Sequence, residues 1–245
     1  MAGVRLDERV VALGFAATRG VAESLIRTGK ILVDDTPVEK PGTRISETSE
    51  VRIRAETKAF VSRGGLKLSP ALDTLKIDPM DKWCVDIGAS TGGFTDCLLQ
   101  RGAKGVVAVD VGYGQLNEKL RTDGRVRVLD RKNARYLELQ DLPENPLLAT
   151  IDVSFISTTL ILPALALAAP NAALLVMVKP QFELDRVKVG KGGVVRDDRL
   201  RYEALAKVVN RANDLGFVEV DHVESELPGP KGNREIFAHF VRETA

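Results

Sequence analysis

The sequence predicts an α/β protein in which a small α+β domain precedes a doubly wound, mostly parallel sheet of seven strands. Three observations carry that expectation. From Trp83 onward, short apolar runs of strand character alternate with helical patterns, which is the signature of repeated βα units. The chain finishes on two strand-like runs, 217–223 and 235–241, joined by the turn-rich Pro228-Gly229-Pro230, so one antiparallel edge strand is expected. The first stretch shows neither pattern: two short helical segments lead into a few short strands, a module of roughly 55 residues near the lower limit for independent stability.

Taken in order, Arg5 to Gly14 reads as a short helix with Leu6, Val10 and Leu13 inward and Gly14 closing it. Thr18 then caps a second helix that turns Val21, Ala22, Leu25 and Ile26 inward and ends at Gly29. Alternation begins at Ile31-Leu32-Val33, and Asp34-Asp35-Thr36-Pro37 reads as a turn. A further strand, Val51 to Arg54, follows the bend at Pro41-Gly42. In the second domain, strands are expected at 83–87, 105–109, 126–129, 148–153 and 173–178. Helical stretches separate them near 94–101, 115–121 and 157–168, and a long helix follows around 198–215. The boundary is placed at residues 60 and 61.

Composition bounds the function. The chain has 245 residues, 44% hydrophobic and 28% charged, and a net charge of +1, which does not advertise a polyanionic partner. Residues 1–67 carry a balance of +3 and the remainder −2, too slight a bias to establish nucleic-acid binding alone. Cys84 and Cys97 lack metal-ligand spacing and read as buried thiols of a reducing compartment; no metal site is expected. Met1 to Arg5 leads into a charged helix rather than a signal core. The most apolar region, 160–178, is broken by Pro163, Pro170 and Asn171, so a cytoplasmic protein with no membrane association is expected.

The first βα unit is the most informative. The apolar run Val85-Asp86-Ile87 ends in Gly88, Gly92 and Gly93, a helix with Phe94 and Leu98 follows, and Asp110 closes the next strand 22 positions after Gly88. That is the layout of a nucleoside-binding crevice, where glycines admit the ligand to the backbone and the acid accepts from the ribose hydroxyls. Ala89 and Ser90 interrupt a dinucleotide fingerprint, and the Gly-Lys-Ser/Thr of a phosphate-binding loop is missing. Asp86, beside the loop, would repel phosphate. S-adenosylmethionine, which lacks phosphate and carries a sulfonium cation, suits it better. Candidate cofactor-binding residues are therefore Asp86, Gly88, Gly92, Gly93, Phe94, Asp110, Asp130 and Asp152, the last two near the ends of the third and fourth strands. Lys179 directly follows a buried strand, where an ammonium needs a partner. Asp152 on a neighbouring strand could supply it in a purely structural pair.

Three resemblances add to this reading. Arg5-Leu6-Asp7, Thr18-Arg19, Ala22, Leu25-Ile26, Gly29-Lys30-Ile31 and Val33-Asp34 are similar to the S4 RNA-binding module. The resemblance implies that Arg5, Arg19, Arg27 and Lys30 contact RNA; Asp35 stands where the module often has glycine. Lys67, Asp152, Lys179 and Glu235 resemble the catalytic Lys-Asp-Lys-Glu set of RNA ribose 2′-O-methyltransferases. Six blocks then match one family nearly end to end: Val61 to Gly65, Gly88 to Thr95, Asp110 to Leu116, Ser154 to Ser157, Val178 to Glu183 and Leu227 to Asn233. They resemble the TlyA family, described both as haemolysins and as ribosomal RNA cytidine 2′-O-methyltransferases. The resemblance implies a Rossmann-like methyltransferase domain, S-adenosylmethionine as cofactor and ribosomal RNA or a ribosomal subunit as partner.

Methyl transfer from a sulfonium is an in-line displacement, so a ribose oxygen must be aligned with the methyl carbon and lose its proton. Burial and Lys67 would favour a neutral Lys179, whereas Asp152 and Glu235 would favour the ammonium. Lys179 thus reads either as general base or as a cation stabilising the alkoxide, and the base is the reading adopted, with Lys67, Asp152 and Glu235 orienting it. The basic, glycine-rich run from Arg186 to Gly193 is suited to RNA phosphates or to plain solvation. Two other classes stand beside the enzyme: a membrane-active haemolysin, and a non-catalytic RNA-binding assembly factor.

Overall fold

The computed structural model describes residues 3–53, 59–142 and 145–243. The chain divides into two compact units, Met1–Thr57 and Lys58–Ala245.

In the first unit, β1 (Val4–Arg5), α1 (Leu6–Ala12), α2 (Arg19–Arg27), β2 (Ile31–Val33), β3 (Thr36–Pro37), β4 (Arg44–Ile45) and β5 (Val51–Ile53) follow in order. β1 pairs with β4, and β3-β2-β5 form an antiparallel sheet. Leu6, Val10, Ala22, Ile26 and Ile31 are fully buried and make its core. Thr18 caps α2 as expected, its hydroxyl accepting from Val21 N at 3.4 Å. Thr36 and Pro37 are a strand rather than part of the turn, which narrows to Asp34 and Asp35 with φ of 47° and 66°. Two consecutive left-handed residues suit a tight hairpin, and proline is tolerated on such an edge. Asp35 bears that conformation without glycine's freedom, and Arg52 pairs with its carboxylate. The last residue of the expected strand, Arg54, lies outside the described residues.

The second unit contains α3 (Arg63–Thr74), β6 (Trp83–Ile87), α4 (Gly93–Gln100), β7 (Gly105–Val109), α5 (Glu118–Arg121), β8 (Val126–Leu129), β9 (Leu148–Ile151), α6 (Leu162–Ala168), β10 (Ala173–Val178), α7 (Pro180–Glu183), α8 (Asp198–Asn213), β11 (Phe217–Glu224) and β12 (Ile236–Arg242). The seven-stranded sheet runs β11-β12-β10-β9-β6-β7-β8. β10, β9, β6, β7 and β8 are parallel; the near-continuous apolar runs of the first four follow from burial on both faces, whereas β8, at the edge, carries the exposed Arg127. Side chains alternate between the faces. Val85, Ile87, Leu174 and Val176 point toward α6 and α8. Cys84, Val106, Leu175 and Met177 point the other way, toward α3 and α4.

Two features differ from the sequence expectation. The antiparallel strand is β12, which lies between β10 and β11 and not at the edge. Helix α3 is not expected from the sequence, because Gly64, Gly65 and Pro70 all argue against a helix. The glycines are there for close approach: a Cβ on Gly93 of α4 would fall 2.1 Å from Ser62 Oγ and 2.9 Å from Gly65 N. Small residues let the two helix starts touch, and Ser62 caps α3 by accepting from Gly64 N at 3.3 Å.

Candidate functional site

The chain reverses its winding between β6 and β9, and a doubly wound sheet opens a crevice at the carboxyl ends of such strands. Three cavities lie there. The first, of about 520 Å³, is lined by Gly88, Ser90, Asp110, Gln115, Asn133 and Asp152, among others. The second, of about 220 Å³, is lined by Lys67, Gly93, Phe94, Asp152, Lys179 and Glu235, among others. A third, of about 370 Å³, adds Gln181 and Phe182 around Lys179 and Glu235 and shares Ser154 and Phe155 with the first.

The glycine loop works by proximity. Gly88 has φ of 83°, and a Cβ there would lie 2.4 Å from Asp152 O, so no other residue fits between the ends of β6 and β9. Asp110 fastens this loop to the next: Oδ2 accepts from Ser90 N at 2.8 Å and Oδ1 from Gly112 N at 2.7 Å.

Lys67, Asp152, Lys179 and Glu235 come together as two ion pairs. Lys67 Nζ lies 2.5 Å from Glu235 Oε2, and Lys179 Nζ lies 2.5 Å from Asp152 Oδ1. Lys179 Nζ also donates to Ser154 Oγ at 3.0 Å. Each buried ammonium thus has a carboxylate partner, which its burial requires. Glu235 has room because Gly229 opposes it; a Cβ on Gly229 would lie 2.8 Å from Glu235 Oε1.

Three of the residues expected around the cofactor do not line any of these cavities. Asp86 is fully buried behind the loop, on the face of β6 that meets α4. Thr95 Oγ1 donates to it at 2.7 Å and Thr150 Oγ1 at 3.2 Å, while burial pushes its carboxyl up to about 7. It therefore cannot present a full, exposed negative charge to a ligand. Gly92 packs instead of lining: a Cβ there would meet Leu120 at 2.3 Å. Asp130 turns to Arg121 at 2.9 Å, and Lys132 and Asn133 line the cavity in its place. Sequence reasoning misses Ser90, Gln115, Asn133, Ser154 and Phe155. Their signal is positional, since all follow strand ends, but no residue type among them announces chemistry.

In the first unit, Arg5 and Arg19 converge on the buried Asp7 at 2.8 and 3.0 Å. The Arg5 guanidinium holds that carboxyl below the usual range. Arg27 is exposed and Lys30 half-buried. Of the basic loop, Lys188 pairs with Glu203, and Val189 and Gly193 line the third cavity.

The FtsJ-like methyltransferase family matches residues 60–242, and the S4 domain matches residues 4–51. The chain belongs to the FtsJ-like methyltransferase family. It is 46% identical over 242 residues to the 16S/23S rRNA (cytidine-2′-O)-methyltransferase TlyA of Mycobacterium tuberculosis, covering 98% of this chain and 90% of that protein. It is 42% identical to Hemolysin A of Brachyspira hyodysenteriae, covering 97% of this chain and 100% of that one. A solved structure described as a hemolysin, from Streptococcus thermophilus, superposes with a TM-score of 0.75 at 41% identity, covering 100% of this chain and 90% of that one.

The FtsJ-like methyltransferases take S-adenosylmethionine, and the first cavity fits it. Its volume suits a nucleoside-sized ligand. Asp110 and Asp152 line it, and its one lysine, Lys132, is neutralised by Asp141 at 2.6 Å. The lining therefore favours a cation over a phosphate.

Proposed function

We propose that the chain is a cytoplasmic ribosomal RNA cytidine 2′-O-methyltransferase. The observation that carries this reading is the placement of the Lys67–Glu235 and Lys179–Asp152 pairs beside the cofactor cavity. The similarity to the TlyA methyltransferase supports the substrate.

Gly88, Asp110 and Asp152 would hold S-adenosylmethionine, with Gly93 and Phe94 facing it from the adjoining second cavity and Asp86, Gly92 and Asp130 supporting the surrounding loops. When bound, it supplies an electrophilic methyl group on a sulfonium. Lys67 and Glu235 hold the ribose, and Lys179 Nζ accepts the 2′-hydroxyl proton as the oxygen attacks. Asp152 steadies the ammonium that results. The same short contact between Lys179 and Asp152 favours a second reading, in which Lys179 is an ammonium throughout and stabilises the alkoxide. The first unit, taken as residues 1–60, would grip RNA through Arg27 and Lys30, with Arg5 and Arg19 adding their exposed faces while clamping Asp7.

The test is methylation of ribosomal RNA lacking the mark, followed by mapping of the modified nucleotide. A purified, folded protein that binds S-adenosylmethionine yet transfers no methyl to RNA or ribosomal subunits would sink the proposal and leave the assembly-factor reading.

A further inference from the structure

We propose that Glu183 is a positioning residue that holds Ser154 on Lys179 by locking together the two loops that carry them. This inference rests on the catalytic reading of Lys179 given above.

β9 and β10 are adjacent parallel strands, so the segments leaving them, Asp152–Ser157 and Lys179–Glu183, run side by side. Besides the Lys179–Asp152 ion pair, three contacts join them. Lys179 Nζ donates to Ser154 Oγ at 3.0 Å, the Phe155 and Phe182 rings lie 5.3 Å apart, and Glu183 closes the far end. Glu183 is 2% exposed; Oε1 accepts from Thr158 N at 2.7 Å, and Ser157 Oγ donates to Oε2. Its carboxylate lines none of the three cavities, so it acts on the chemistry only through its neighbours.

The first loop needs such a lock. Phe155 sits at φ of 67°, a left-handed conformation that a bulky residue adopts at a cost, and the residue is 91% exposed. Burial of its own side chain cannot hold it there. The two hydrogen bonds to a charged acceptor just beyond it can, and such bonds are stronger than neutral ones. Glu183 is itself anchored, because Lys207 of α8 donates to its carbonyl at 2.5 Å. Release of the carboxylate frees the loop to relax at Phe155 and carries Ser154 away from Lys179 Nζ.

The experiment measures single-turnover methylation at saturating S-adenosylmethionine, using ribosomal RNA that lacks the mark. Glu183→Ala should slow the chemical step about 10- to 100-fold, since a misplacement near 1 Å costs on that order. Because Val153 to Ile156 of the same loop also line the first cavity, affinity for S-adenosylmethionine is titrated for each variant so that the rate is read at saturation. Glu183→Gln, whose amide can meet both the hydroxyl and the N–H, should recover most of the lost rate. In a Ser154→Ala background, Glu183→Ala should cost only about 3-fold more, because both changes remove one arrangement. If Glu183→Ala does not fold, Ser157→Ala probes the same lock and should show the same dependence on Ser154. A folded Glu183→Ala protein at the wild-type rate overturns the inference, as do losses that multiply fully in the double variant. Lys179→Ala, run alongside, separates the two failures: wild-type turnover there removes the catalytic reading itself.

Discussion

Replacing Asp86 with asparagine should make the protein more stable at neutral pH and change little at acidic pH. Asp86 is fully buried between β6 and α4, and its carboxyl is pushed up to about 7, chiefly by burial. The unfolded chain releases the same proton near pH 4. Between about pH 4 and pH 7 the folded protein therefore holds a proton that the unfolded chain has lost. Stability falls as pH rises through that window, and the penalty is complete above it. Three pH units at about 1.4 kcal/mol each give roughly 4 kcal/mol. Asparagine keeps the shape, and the hydroxyls of Thr95 and Thr150 can rotate to serve its amide. For a unit of this size the gap in melting temperature should open by about 8–16 °C between pH 4 and pH 8. Melting curves of both proteins across that range, without cofactor, give the answer. A gap that stays constant with pH would refute the assignment of the buried proton to Asp86.

Other consequences follow from the same geometry. Lys179→Ala should lower single-turnover methylation by about 10²–10⁴ with cofactor affinity retained, and Lys179→Arg should be as damaging if Nζ is the base; appreciable activity in the arginine variant favours the alkoxide-stabilising cation. Asp110→Ala should weaken S-adenosylmethionine binding about 10- to 100-fold by calorimetry, and unchanged affinity in a folded variant would remove Asp110 from the site. Arg27→Glu with Lys30→Glu should flatten the salt dependence of RNA binding by a slope of about 1.5–2, whereas an unaltered slope would place the RNA elsewhere; Arg5 and Arg19 are poorer probes because they also neutralise Asp7. Purified protein should not release dye from liposomes, and leakage would restore the membrane-active reading; among the described residues no helix is long and apolar enough to cross a membrane.

Periodicity exposes the strands because each is buried in a way that leaves a pattern. β6, β7 and β10 lie at the expected residues, for parallel strands covered on both faces must be apolar almost throughout; β8 also lies where expected, its exposed Arg127 alternating with apolar neighbours at the sheet edge. What a single residue faces is harder to read, and Asp86 shows why. Its place just before a glycine loop is the same whether the carboxylate points into the crevice or back under α4. Strand alternation decides the matter, since Asp86 shares a face with Cys84 and meets Thr95. Asp110, by contrast, stands just beyond its strand, where the chain has left the sheet and both oxygens can tie down loops. Helix α3 is hidden because propensity counts glycine against a helix, whereas in this fold glycine is what allows α3 and α4 to touch. The role proposed for Glu183 is illegible for a related reason. A glutamate after Pro180-Gln181-Phe182 reads as a surface charge until β9 and β10 are known to be neighbours, and only that adjacency gives its carboxylate the Thr158 N–H to hold.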